Sequence, residues 1–201
     1  MICVIRVNLR QLSLKYRIAD LAGDCGTLTE IQLETDRLIL RMWRTSDFDT
    51  YASMCADPEV MRYLGGNVFD RPQAWRHMSF LVGHWHLLGY GNWAVEEKAT
   101  GDFVGRIGFM NPEGWPGFEI GWTLRRQSWG RGYATEGAKR ALMYAFKELD
   151  KDHVISLIHP ENHGSKRVAE RLGEKLEGQT ELMGIQLLIY GIDRPIRVTT
   201  E

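Results

Sequence analysis

The stretch that most constrains this chain is Gln127-Ser128-Trp129-Gly130-Arg131-Gly132-Tyr133-Ala134-Thr135. It follows an apolar run, Phe118 to Leu124, and precedes a helical pattern from Tyr133 to about Leu149. A strand, a short glycine-bearing turn and a helix N-terminus, in that order, make a receptor for phosphate. Converging backbone N–H groups form a nest, and the helix start adds unpaired donors and a positive dipole end. Gly130 and Gly132 let the backbone approach a ligand and adopt angles that other residues resist. Arg125, Arg126 and Arg131 add long-range attraction for an anion. Taken alone, Gly-x-Gly also describes an ordinary strand-to-helix turn, so the flanking elements have to decide between the two.

Those elements read as a mixed α/β domain. Leu38 to Trp43 is expected to be a strand, and Thr45-Ser46-Asp47 a helix start with Phe48, Tyr51, Ala52 and Cys55 on its apolar face. Asp57-Pro58 ends that helix or opens a short turn through Val60 and Met61. Asp70 with Gln73 forms a capping-box pattern. It leads a long helix carrying Trp75, Met78, Phe80, Leu81, Trp85 and Leu88, stopped by Gly89 and Gly91. Trp93 to Glu97, Phe103 to Met110 and Phe118 to Leu124 are three strands joined by short turns, hence antiparallel. After the glycine turn, Ala134, Ala138, Ala141, Leu142, Ala145 and Phe146 give a small-residue helix face suited to packing on a sheet. His153 to His159 is nearly continuous in apolar residues, as a buried strand would be, and a helical link from Leu124 to it implies a parallel crossover. A helix starting at Asn162 or His163 ends at Gly173. A short strand near Lys175–Glu177 and a longer one from Leu182 to Ile192 finish the sheet. Residues 1–28 are set apart as an extension, with Ile2 to Val7 a candidate strand and Asp24–Thr27 a break. The domain is taken as 29–201.

Composition narrows the function classes. The 201 residues are 44% hydrophobic, enough for one substantial core, with formal net charge −1. Near-neutrality argues against broad nucleic-acid binding. Cys3, Cys25 and Cys55 show neither zinc spacing nor a disulfide framework, which points to a reducing cytoplasm. No apolar run reaches membrane-spanning length, and the opening residues lack the pattern of a signal peptide. His84-x-His86 lacks a convincing third ligand, so no metal is expected.

The ordered set of motifs resembles the GCN5-related N-acetyltransferases (GNAT). Gln127-x-x-Gly130-x-Gly132-x-Ala134 is similar to their acyl-CoA pyrophosphate loop. The wider phrase, Glu119-Ile120-Gly121-Trp122 through Trp129 to Glu136, resembles their ribosomal-protein-alanine-acetyltransferase-like branch. Thr35 to Arg41, Gly91-x-Trp93-Ala94-Val95, Gly105-x-Ile107-Gly108 and Asn162-x-x-Ser165-x-x-Val168 are similar in the same order. The resemblance covers about 33–193. It implies the GNAT (acyl-CoA N-acyltransferase) fold, a mixed, mostly antiparallel sheet with flanking helices. Its strands splay apart where Phe118–Leu124 and His153–His159 meet.

The resemblance implies acetyl-CoA as donor and a primary amine as acceptor, either a protein N-terminus or a small molecule, joined by direct attack in a ternary complex. Backbone groups of Gln127, Ser128, Trp129, Gly130, Arg131 and Gly132, with Tyr133, Ala134 and Thr135, would hold the pyrophosphate. Leu124 and Arg125 would align pantetheine, and Asn162 would bond to it, capping its helix as well. Lys166 and Arg167 are candidates for CoA phosphate or simply solvated. Glu119 is the candidate base, against a plain surface role. Ser165 resembles a serine near the CoA sulfur that assists the leaving thiolate, against simple first-turn capping. Many relatives carry a tyrosine where Ala169 stands and an aromatic residue where Glu174 stands; both are departures. Trp115, between Gly114 and Pro116, is a candidate border of the substrate entrance. Homodimerisation is compatible with such a chain. The alternative function is a non-catalytic acyl-CoA sensor.

Overall fold

The computed structural model describes residues 31–195. The expected extension, its candidate strand at Ile2–Val7 and the domain boundary after residue 28 lie outside them.

Caps and glycines set the helix ends. A single 3-10 turn at Thr45–Asp47 leads into α1 (Phe48–Cys55), and α2 is the short Pro58–Met61, capped by Asp57. Before α3 (Arg71–Leu88), the Asp70 carboxylate accepts from the Gln73 N–H at 2.7 Å. The Gln73 side chain in turn accepts from the Asp70 N–H at 2.8 Å. Two orphan donors are thereby satisfied reciprocally. Gly89, at φ 72°, ends the helix. Of the apolar residues expected along α3, Met78, Leu81 and Trp85 are buried, whereas Trp75, Phe80 and Leu88 are exposed. A helix lying on a sheet buries one stripe, and the apolar set here is wider than that stripe.

The strands are β1 (Leu33–Glu34), β2 (Leu38–Arg41), β3 (Asn92–Glu97), β4 (Phe103–Met110), β5 (Glu119–Leu124), β6 (His153–Ile158), β7 (Lys175–Leu182) and β8 (Ile185–Asp193). They form one sheet in the order β1-β2-β3-β4-β5-β6-β8-β7. Every pairing is antiparallel except β5 with β6. α4 (Tyr133–Lys147) makes the crossover between those two, and α5 (His163–Leu172) follows β6. Ala138, Ala141, Leu142, Ala145 and Phe146 of α4 are buried against Ile107, Ile120 and Val154 of the sheet. Leu142 and Phe146 each contribute about 1.5–3 kcal/mol by burial. The opposite face carries α1 and α3 over Ala94, Phe103 and Met110.

A buried ion pair ties the two layers. Arg41 donates to both Asp47 oxygens at 2.8 and 2.7 Å and to Glu96 at 2.7 Å, which fixes the start of α1 against β2 and β3.

Two readings at the sheet edges need correction. The C-terminal hairpin runs Lys175–Leu182 and Ile185–Asp193, so the first strand is much longer than expected and Leu182 belongs to it. Its turn is Met183–Gly184, both at positive φ, the geometry that matches the twist of a tight hairpin. The full length of β7 escaped notice because it is an exposed edge strand, whose Glu177 to Glu181 carry no apolar alternation. β1 is only two residues long and has no periodicity to read.

Candidate active site

β5 and β6 pair at one position only, Glu119 with Ile155, and then part. The Ile155 N–H donates to the Phe118 carbonyl. By alternation, the peptide groups of Trp122 and Leu124 further along β5 also face that gap, and there they have no strand partner. Because the two strands are parallel, α4 and α5 both start at the same end of the sheet, one on each side of the gap. That is where backbone donors and helix dipoles converge.

On the β5 side, Gly130 and Gly132 sit at φ 73° and 82°, and no side chain caps α4. Its first N–H groups are therefore left free by the protein's side chains. A Cβ on Gly130 would meet nothing within 4 Å, so the space above it is clear. Thr135 Oγ1 and Arg125 Nε are buried without partners. Orphaned donors around an open glycine turn at a helix start fit a diphosphate such as that of CoA.

The side chains of the loop behave less simply than their sequence suggests. Arg131 donates to Glu97 at 2.7 Å and lies over the Tyr133 ring, and the Tyr133 hydroxyl also donates to Glu97. The Tyr133 bond, with Arg131 beside it, holds the Glu97 carboxyl below its usual range. The charge of Arg131 thus braces the loop. Ser128 is buried, while Gln127 is exposed. The Trp129 indole folds back to donate to the Leu124 carbonyl at 2.8 Å. The Arg125 N–H is taken by the Val104 carbonyl at 3.0 Å, which leaves the Trp122 peptide and the Leu124 N–H as the open edge.

On the β6 side, Asn162 Oδ1 accepts from the Ser165 N–H at 3.0 Å, capping α5 and leaving the Asn162 amide group directed elsewhere. Ser165 is half-buried in the first turn. Lys166 donates to the Pro160 carbonyl at 2.7 Å and is held locally. Ala169 is fully buried against Ile158 and Tyr190, where no hydroxyl is presented.

Glu119 opens β5 on the face covered by α1 and α3. Trp115, reached through the Pro112–Phe118 turn, donates to its Oε2 at 2.6 Å. Burial raises the Glu119 carboxyl to about 7; Trp115, Arg106 and the Leu157 peptide oppose that rise without cancelling it. A group titrating there can take a proton near neutral pH. Behind the same gap lies Glu174, 3% exposed, its Oε1 accepting from Ser156 Oγ and its Oε2 unpartnered. Burial raises this carboxyl to about 7 as well, with Glu119 adding repulsion. Ser156 Oγ also lies 3.0 Å from the Ile120 carbonyl, so one serine spans the base of the splay.

Sequence reasoning missed the polar group beside Glu119. Arg106 donates to Asn92 Oδ1 at 2.8 Å, and the Tyr51 hydroxyl lies 2.5 Å from His77 Nδ1. Burial, with Arg106 nearby, lowers His77 to about 3, so it stays neutral. The available signal was a lone arginine in the otherwise apolar strand Phe103–Met110. Its neighbours come from three elements and have no common spacing.

Residues 37–175 match the Acetyltransferase (GNAT) domain family. A Bacillus subtilis relative, the uncharacterized protein YkkB, is 35% identical over 71% of this chain and 84% of its own length. The crystal structure of an acetyltransferase from Agrobacterium tumefaciens superposes with a TM-score of 0.74 at 31% identity. That match covers 82% of this chain and 95% of the other. A ribosomal-protein-S5-alanine acetyltransferase from Vibrio fischeri shares the fold, with a TM-score of 0.61 at 16% identity over 82% and 97% of the two chains. An open glycine turn at the mouth of a splayed sheet and a family match over most of the chain lead to one identification: this chain belongs to the GNAT acetyltransferases and is an acetyl-CoA-dependent N-acetyltransferase.

Proposed function

We propose that the chain acetylates a small primary amine that reaches Glu119 from the α1–α3 face, while acetyl-CoA enters between β5 and β6 from the helix N-termini. The observation that carries this reading is the unpaired edge of β5, with a diphosphate cradle at one end and a carboxyl of raised pKa at the other. The loop Gln127–Gly132 and the Tyr133–Thr135 N–H groups hold diphosphate. Leu124 and Asn162 bond to pantetheine. Trp122 offers its N–H to the carbonyl oxygen of the thioester, where negative charge develops during attack.

Glu119 takes a proton from the bound ammonium. The freed nitrogen lone pair then attacks the thioester carbon, and a C–N bond forms. The nitrogen then loses its second proton to solvent, collapse of the tetrahedral intermediate breaks the C–S bond, and the departing thiolate takes its proton from Ser165, which recovers one from solvent. Holding amine and thioester in one complex supplies much of the rate. Resemblance to the ribosomal-protein branch raises a protein N-terminus as acceptor. The Trp115 indole bonded to Glu119 supports a small amine over the open trench a peptide needs. The family match over residues 37–175 falls within the 29–201 taken as the catalytic domain.

A thiol-release assay over peptides and small amines, with a no-acceptor control, tests this. Small amines should support turnover, with kcat/KM rising through about pH 7 as Glu119 ionises. Glu119→Gln should lose about 10²-fold or more and that acid limb with it. A folded Glu119→Gln variant with full activity and an unchanged pH profile would exclude Glu119 as the base.

A further inference from the structure

The face of β4 and β5 beneath α1 and α3 carries a cation whose role is not accounted for by fold or by acetyl transfer. Arg106 pairs with Thr123, and Glu119 pairs with Met110, so both charged residues project from the same face of neighbouring strands. Between them lie Gly108 and Gly121, directly paired, which leave the floor free of side chains. The Glu119 carboxylate leans over this floor, with Oε1 3.7 Å from where a Gly121 Cβ would stand. Arg106 has no carboxylate within ion-pair distance among the described residues, although it is half-buried.

Its guanidinium is nonetheless held in place. Asn92, fully buried, anchors it through Oδ1, and the Asn92 amide donates to the Phe109 carbonyl at 3.1 Å. The Asn92 carbonyl accepts both the Trp43 and the Trp85 indole N–H, so this anchor cannot swing. Tyr51, also fully buried, lies beside Arg106 and bonds to His77 Nδ1. With the phenol donating to Nδ1, the His77 Nε2–H is left as a second donor beside the arginine. A fixed, half-buried guanidinium flanked by a neutral imidazole donor and lacking a carboxylate partner is a receptor for a planar anion.

We infer that Arg106, with His77, forms an acceptor subsite for a carboxylate, and that the amine acetylated at Glu119 belongs to a small amino acid. This rests on the reading of Glu119 as the amine-side carboxylate. Arg106 and Glu119 are four residues apart along the strand, about 13 Å of rise. The lean of Glu119 over Gly121 takes up about half of that. Arg106 leans the same way, toward Asn92 opposite Gly108, so the amine and the carboxylate of one small molecule would lie over the Gly108–Gly121 floor between the two side chains. A neutral alkylamine would leave Arg106 unsatisfied, and a diamine would set a second cation against it.

The test is a matched acceptor series with acetyl-CoA: amino acids of increasing length, their carboxamides and methyl esters, and alkylamines. Amino acids should be preferred about ten-fold or more in kcat/KM over the matched amides and esters. Arg106→Gln should raise KM for amino acids by a similar factor, leave KM for alkylamines and acetyl-CoA near their original values, and erase the preference. Arg106→Lys, which keeps the charge but not the fork, should recover part of it. Circular dichroism and thermal melting establish that both variants fold. Equal turnover of amino acids, amides and alkylamines would overturn the carboxylate subsite and leave the role of Glu119 standing. If no amine is acetylated, the reading of Glu119 fails instead. The subsite is then judged by whether amino acids raise the melting temperature of the original protein but not of Arg106→Gln.

Discussion

Replacing Glu174 with glutamine isolates a single buried carboxyl whose effect on stability can be worked out in advance. Glu174 is 3% exposed, accepts one bond from Ser156 and leaves Oε2 without a partner. In the folded chain burial raises it from an ordinary value of 4.5 to about 7. A difference of about 2.5 pH units corresponds to roughly 3 kcal/mol between the two protonation states. The fold binds this proton more tightly than the unfolded chain does. Its contribution is therefore complete below pH 4.5, is lost as pH rises toward 7, and stays lost above that. Glutamine keeps the acceptor for Ser156 and does not titrate. Its new N–H₂ is left unpaired at Oε2's place, a cost of about 1–3 kcal/mol that is independent of pH. Urea unfolding at fixed ionic strength between pH 4.5 and 8 should show the original chain losing roughly 3 kcal/mol more than Glu174→Gln across that interval. Glu119 is present in both proteins, so the difference reports Glu174 and its repulsion of Glu119. Parallel curves would refute the argument that Glu174 folds as a protonated acid.

Gly132→Val places a β-branched residue at φ 82°, with its Cβ 3.4 Å from the Arg37 guanidinium. The backbone strain is about 1–2 kcal/mol. Calorimetric titration should show acetyl-CoA affinity falling about ten-fold or more in a protein that still folds, and unchanged affinity would exclude the loop as the cradle. Asp47→Ala removes the carboxylate that holds Arg41, buried with it beneath the start of α1. Chemical unfolding should register a loss of about 3–5 kcal/mol, because a buried guanidinium then keeps only Glu96 and the Met42 carbonyl.

Much of the fold was readable because periodicity and punctuation coincide. The capping box of Asp70 and Gln73, the stops at Gly89 and Gly173 and the small-residue face of α4 are local signals, and each appears where local chemistry requires. The extent of β7 beyond Glu177 was not legible, since an exposed edge strand buries no face and so needs no alternation. The side-chain fate of Arg131 was hidden for another reason. A cation beside a phosphate loop looks free in sequence, and only the pairing of β3 with β4 brings Glu97 across to meet it.

The chain's own order of residues determined the strand, glycine turn and helix start proposed to hold diphosphate. A strand, two glycines and a helix start are contiguous, and their donors are backbone groups aimed by local geometry. On the proposed acceptor side Glu119 and Trp115 were named from the sequence, but the polar group around them was decided by tertiary structure. Arg106, Asn92, His77, Tyr51 and Glu119 lie on β4, β3, α3, α1 and β5, and they meet only when helices fold across the sheet. The raised pKa values of Glu119 and Glu174 have the same origin, because desolvation belongs to the packed interior that surrounds a carboxyl and not to the residues beside it in the chain.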